Sequence, residues 1–160
     1  SITNSSYFYK PNESDEIKPH QDNAYFCLEN GLNVLTYYVG VDTQNISNGT
    51  IYYWNGSHKL AELTHVPEGN LGASMCLPTQ SIRKLKLFKP IYLHLKPGDV
   101  AIHNGLICHG TLPTKKGTKT EAFNFSIFSK GNIVNQDRFN EYSKLLSQYL
   151  ISAKDRGLKV

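Results

Sequence analysis

Pro19-His20-Gln21-Asp22-Asn23-Ala24-Tyr25-Phe26 is the stretch from which the rest of the chain is best read. It sets an imidazole, His20, and a carboxylate, Asp22, two residues apart. On an extended backbone alternate side chains leave the same face, so both can grip one ion. Together they make two members of a two-histidine, one-carboxylate set, which leaves three positions open on Fe(II) for O2 and a co-substrate. The third ligand has to come from elsewhere. His109 is the natural candidate, because it follows a strand-like run after Pro97-Gly98-Asp99 and is flanked by Cys108 and Gly110. His58, His65, His94 and His103 compete for that place. The bland alternative is a chance pairing at a strand end, with Asp22 capping a turn.

Outward from this stretch the chain reads as mainly β. Runs rich in Tyr, Phe, Val and Ile at 6–10, 24–28, 32–41, 50–54, 85–87, 91–95, 99–103, 107–110 and 122–128 are expected strands. Asn48-Gly49, Asn55-Gly56 and Pro97-Gly98 punctuate them as turns. At 137–154, Phe139, Tyr142, Leu145, Leu146, Tyr149 and Leu150 recur at three- and four-residue intervals, which predicts one amphipathic helix closed by Gly157. The segment 61–81, with Pro67, Gly69, Gly72 and Pro78, has no clear period and is expected to be a long loop or substrate lid.

The 160 residues, 39% hydrophobic and 19% charged, suit a single domain over 1–160 with a buried core. The formal charge of +4 is small and its lysines and arginines are scattered, so no nucleic-acid footprint is expected. Cys27, Cys76 and Cys108 are odd in number and far apart, which fits a reducing compartment and a cytoplasmic protein. No apolar run approaches the ~18 residues that span a bilayer, and no membrane partner is expected.

Five blocks in order give the chain a family likeness. They are Tyr7-Phe8-Tyr9-Lys10-Pro11; Pro19 to Phe26; Tyr38-Val39-Gly40-Val41-Asp42; Asn48-Gly49-Thr50 through Gly56-Ser57-His58-Lys59; and Gly98 to His103 with Leu106 to Thr111. In them the chain resembles the phytanoyl-CoA dioxygenase family of iron- and 2-oxoglutarate-dependent oxygenases. The resemblance implies a double-stranded β-helix, that is, a jelly-roll, cupin-like barrel, with the C-terminal helix added. It implies Fe(II) on His20, Asp22 and His109, with His103 and His58 outside the triad and His103 in a supporting role. By the same analogy Gln21, Tyr38 and Thr111 would contact the 2-oxoglutarate co-substrate. An aspartate at position 22, where related halogenases have a small residue, favours hydroxylation of a small-molecule substrate with O2.

Two features depart from the family pattern. The arginine that pairs with the distal carboxylate of 2-oxoglutarate falls here on Thr120, which cannot supply a forked, charge-assisted pair. Lys119 is the nearest basic replacement, although on a regular strand it points away from the Thr120 side. Lys115 and Lys116 could also reach in. The second departure is the near absence of the segment that usually precedes the first matching block, so a monomer or a homodimer completing the pocket is expected. Two other readings stay open: a cupin-like metalloenzyme that does not use 2-oxoglutarate, and a catalytically silent metabolite-binding barrel.

Overall fold

The computed structural model describes residues 2–67 and 75–155 of the chain. Its strands are β1 (Ile2–Lys10), β2 (Ile17–His20), β3 (Val34–Gly40), β4 (Ile51–Trp54) and the short β5 (Val66–Pro67) and β6 (Met75–Cys76). Next come β7 (Pro90–Tyr92), β8 (Val100–Asn104), β9 (His109–Thr111) and β10 (Thr120–Phe128). Three helices accompany them: α1 (Asn23–Phe26), α2 (Thr79–Lys84) and α3 (Gln136–Asp155).

Eight strands form two antiparallel sheets, ordered β1-β10-β3-β8 and β2-β9-β4-β7. The chain alternates between them at almost every step, so the inner faces enclose one space in a jelly roll, the double-stranded β-helix. β3 shows why the sequence folds this way. Val34, Thr36, Tyr38 and Gly40 are buried while Leu35 is exposed, the period-two pattern of a strand with one face on the core. Tyr38, Ile51, Leu95, Ala101 and Ala122 meet in the middle, and Phe8, Tyr53 and Leu93 pack on them. A second cluster of Leu63, Leu77, Leu85 and Cys108 forms with Trp54 and Leu60 packed against it. The two clusters hold the sheets in register around the residues at the barrel mouth.

Several expected elements come out differently. Residues 24–28 are not a strand: α1 occupies this stretch and ends at Cys27, whose φ of 51° is left-handed. Ala24, Cys27 and Leu28 of this run are buried, against the body of the protein and not in a sheet ladder. Residues 85–87 form a 3-10 turn that continues α2 and buries Leu85, because three residues of strand-like composition carry little local preference against tertiary packing. The segment 61–81 is not a loop throughout, since β5 pairs with β6 and α2 starts at Thr79. Its glycines Gly69 and Gly72, like Gly157 beyond α3, lie outside the described residues.

Candidate metal centre

Cross-strand register explains how distant residues meet. His20 of β2 and His109 of β9 are directly opposed, and Tyr53 of β4 is the next partner of His109. Opposed residues on neighbouring strands project to the same face. This makes one inward rung of His20, His109 and Tyr53, with the two imidazole centroids 4.3 Å apart. The facing sheet contributes a second rung, in which Thr36 opposes both Ser126 and His103. Asp22 enters between the rungs from beyond β2. Its backbone is helical, at φ −60° and ψ −30°, where it opens α1. A strand-to-helix corner, and not the extended backbone expected from the sequence, therefore brings the carboxylate beside His20.

The hydrogen bonds specify where the protons sit. His20 Nδ1 lies 2.9 Å from the Lys18 carbonyl and His109 Nδ1 lies 3.0 Å from the Ile107 carbonyl. A carbonyl only accepts, so each Nδ1 carries the proton and each Nε2 presents a lone pair. Asp22 Oδ2 accepts from Thr36 Oγ1 at 2.6 Å and from His103 Nε2 at 3.0 Å. Its Oδ1 stands 3.4 Å from His109 Nε2 and 3.8 Å from His20 Nε2. The ligand atoms of His20, Asp22 and His109 all lie within 4.8 Å of one another.

Three acceptors thus converge with no hydrogen between them, and the arrangement suits a cation. Titration supports the same charge state. Burial pushes both the His20 and His109 imidazoles down, and for His109 the neighbouring His20 and His103 push further in the same direction. Burial pushes the Asp22 carboxyl up, but the His109, His103 and His20 imidazoles outweigh it and hold it well below the usual carboxylate range. Neutral imidazoles and an ionised carboxylate are the forms that bind metal.

The two rungs open on a cavity of about 280 Å³ lined by all three of these residues and by Tyr25, Phe8, Tyr38, Thr111 and Asn124, among others. Of the other residues expected at the site, Tyr38 and Thr111 line this cavity, and the Tyr38 hydroxyl donates to Gln44. His103 lines it too, and Nδ1 of its ring is 3.0 Å from the Tyr53 hydroxyl.

Gln21 does not face the cavity. Its side chain donates to the Ala61 and Leu106 carbonyls and accepts from the Leu63 amide, so it ties the following segment to the barrel from outside the site. Lys119 is exposed and paired with Glu121. Thr120 is buried with its hydroxyl spent on the Asn48 carbonyl. The expected lid segment contributes no described residue to the cavity wall, though the Met75 carbonyl accepts from the Tyr25 hydroxyl and so steadies that ring.

Sequence reading missed Thr36, Ser126 and Lys10. Each is a buried polar residue on the inward face of its strand, and only the register shows what it meets.

Residues 1–119 match the profile of the phytanoyl-CoA dioxygenase (PhyH) family. The chain belongs to the phytanoyl-CoA dioxygenase family. Among its family relatives, the bovine phytanoyl-CoA dioxygenase domain-containing protein 1 is 25% identical over 137 residues, which is 83% of this chain and 46% of the relative. The chain therefore spans about half the length of that curated relative. Solved structures share the fold. EctD from S. alaskensis, determined with 2-oxoglutarate and 5-hydroxyectoine, superposes with a TM-score of 0.67 at 18% identity, covering 84% of this chain and 46% of that one. The non-heme monooxygenase ThoJ gives a TM-score of 0.67 at 15% identity over 96% of this chain and 66% of its own.

Proposed function

We propose that this family member is an Fe(II)- and 2-oxoglutarate-dependent dioxygenase domain that hydroxylates a small molecule. The observation that carries the reading is the set of two bare imidazole nitrogens and one carboxylate oxygen at the wall of a cavity. Such a set holds Fe(II) on one side and leaves the other side for ligands. His20, Asp22 and His109 would hold the metal. A bound Fe(II) with 2-oxoglutarate supplies the oxidation: one atom of O2 goes to the keto acid, which loses CO2 and becomes succinate, and the other enters a substrate C–H bond.

The chain's own residues supply position and exclusion. Thr36 and His103 hold one carboxylate oxygen of Asp22 so that the other faces the imidazoles. Phe8, Tyr25 and Tyr38 wall the cavity, and the polar Asn124 and Ser126 stand among them. Such a mixture takes a substrate with both an apolar body and a polar group. Among the described residues no helix is long and apolar enough to cross a membrane. Cys27, Cys76 and Cys108 are buried and not joined in a disulfide, and a cytoplasmic setting agrees with them. Small-molecule substrate, keto acid and O2 are the partners this reading requires.

A second reading has one observation in its favour. With Thr120 in the place of an arginine, the barrel could bind metal without the keto acid. O2 uptake by the Fe(II)-loaded protein separates the two. Uptake and succinate formation on adding 2-oxoglutarate, both lost in Asp22→Ala, are expected. Uptake indifferent to 2-oxoglutarate favours the second reading, and undiminished succinate formation in Asp22→Ala rejects the triad.

A further inference from the structure

Three imidazole rings meet at this centre, and two of them are read as ligands. The His103 ring lies 4.4 Å from that of His109, centroid to centroid, as close as His20 does at 4.3 Å. What sets His103 apart is the hydrogen on its Nε2, which it gives to Asp22 Oδ2 at 3.0 Å. That leaves Nδ1 as a lone pair, so the Tyr53 hydroxyl, 3.0 Å away, is the donor to it. Tyr53 comes from the other sheet: it opposes His109 across β4 and β9, whereas His103 sits on β8 opposite Thr36. Its ring centroid is 5.1 Å from that of His103 and 5.7 Å from that of His109. One phenol thus joins the rung that carries the ligands to the rung that carries their support.

The hydrogens run one way, from Tyr53 to His103 to Asp22. The chain ends on the carboxylate whose other oxygen faces the His20 and His109 nitrogens. Linked hydrogen bonds polarise one another, so a hydroxyl drawing on the Nδ1 lone pair makes the Nε2 hydrogen a stronger donor. It also holds the imidazole plane in line with Oδ2. Phenylalanine at this position keeps the ring and removes the hydroxyl. Nδ1 would then be a buried acceptor with no donor, which is costly. The ring relieves that cost by turning toward the cavity it lines, and the Nε2 hydrogen leaves Oδ2 as it turns.

We propose that Tyr53 is a positioning residue of the metal centre: through His103 it fixes the direction in which Asp22 offers its ligand oxygen. This rests on the metal reading of His20, Asp22 and His109, and extends it one partner further out.

Two measurements on Tyr53→Phe test it. In the metal-free protein, nitrogen-resolved NMR of the imidazoles follows the His103 Nε2 hydrogen. Its exchange with water should become about threefold to tenfold faster as the bond to Asp22 loosens, the range of one neutral hydrogen bond. Competition with a chromophoric chelator under anaerobic conditions gives the Fe(II) affinity, which should fall by about threefold to tenfold. Made in a His103→Leu background, the same substitution should change that affinity by less than about twofold, because a residue that acts through His103 has nothing left to act on.

An Nε2 hydrogen that exchanges at the wild-type rate overturns the assignment. So does a loss of Fe(II) affinity that is equally large with and without His103, since packing alone would then explain it. Should His103→Leu not fold, the exchange rate in Tyr53→Phe decides by itself. These failures leave the metal reading standing. A wild-type protein that binds no Fe(II) overturns that reading, and the Tyr53 assignment with it.

Discussion

Replacing Thr36 with valine removes one hydroxyl and almost no volume, and the consequence can be worked out from the carboxylate it touches. Asp22 Oδ2 accepts from Thr36 Oγ1 at 2.6 Å and from His103 Nε2 at 3.0 Å. Valine leaves His103 as the donor on that oxygen, and the carboxylate gains freedom to turn away from the imidazoles. A hydrogen bond to a charged group contributes about 1.5–3 kcal/mol, and every ~1.4 kcal/mol is tenfold in affinity. Fe(II) should therefore bind roughly tenfold to hundredfold more weakly to Thr36→Val, the range seen when outer partners of metal ligands are removed. A chromophoric chelator competing for Fe(II) under anaerobic conditions measures this directly. Thr36→Ser retains the hydroxyl and should stay close to wild type. Affinity in Thr36→Val within twofold of wild type, or an equal loss in Thr36→Ser, refutes the claim that this hydroxyl aims the carboxylate.

Two further outcomes follow from the same wall of the cavity. A Cβ on Gly110 would lie 2.6 Å from the Ile17 carbonyl and 2.9 Å from the Tyr52 hydroxyl, so Gly110→Ala must push β2 away from β9 where His20 opposes His109. Overpacking of this kind costs about 1–3 kcal/mol, and thermal unfolding should fall by roughly 2–12 °C; an unchanged Tm would show that β2 gives way freely. Burial brings the Lys10 amine down to about 8, against the opposing pull of Glu16 and Asp15. Folding stability should rise from about pH 8 toward ~10.4, because there the unfolded lysine holds a proton that the folded one has lost. A melting temperature that falls over the same window would sink this prediction.

The β class and the long closing helix were legible because their periods extend over many residues: β3 alternates through seven, and α3 repeats its apolar positions through twenty. Short elements were not. Residues 85–87 and 24–28 have strand-like composition, yet three to five residues cannot outweigh the packing of Leu85 into its cluster or the corner that Asp22 must turn. The histidine and aspartate pair was visible as a motif, but its stated geometry was not, since Asp22 lies past the end of the strand. Gln21 misleads for a related reason. Standing between two residues that face inward, it has to face the other way, and its side chain is consumed by the 61–63 segment and by Leu106. Cross-strand neighbours were wholly hidden. Thr36 against His103 and Lys10 against Thr120 are separated by 67 and 110 positions, and only the register joins them.

Register and proton placement together sort four of the six histidines, which the sequence alone left in competition. His20, His65 and His109 share one local device: each gives its Nδ1 hydrogen to the carbonyl two residues earlier, on Lys18, Leu63 and Ile107 respectively. Each therefore turns a bare Nε2 outward. At His65 that nitrogen already accepts the Gln21 amide at 3.0 Å, so it is committed to holding the backbone between the two ligands. At His103 the proton is on the other nitrogen, because Asp22 Oδ2 can only accept, and Nδ1 in turn receives the Tyr53 hydroxyl. Of these four, His20 and His109 are the two whose Nε2 faces another acceptor, Asp22 Oδ1, with no hydrogen to share. Moving the amide that His65 accepts, or the proton that His103 gives, would change which nitrogens are free. The candidate ligand pair is thus marked out by where four backbone groups and one carboxylate oxygen leave two converging lone pairs unanswered.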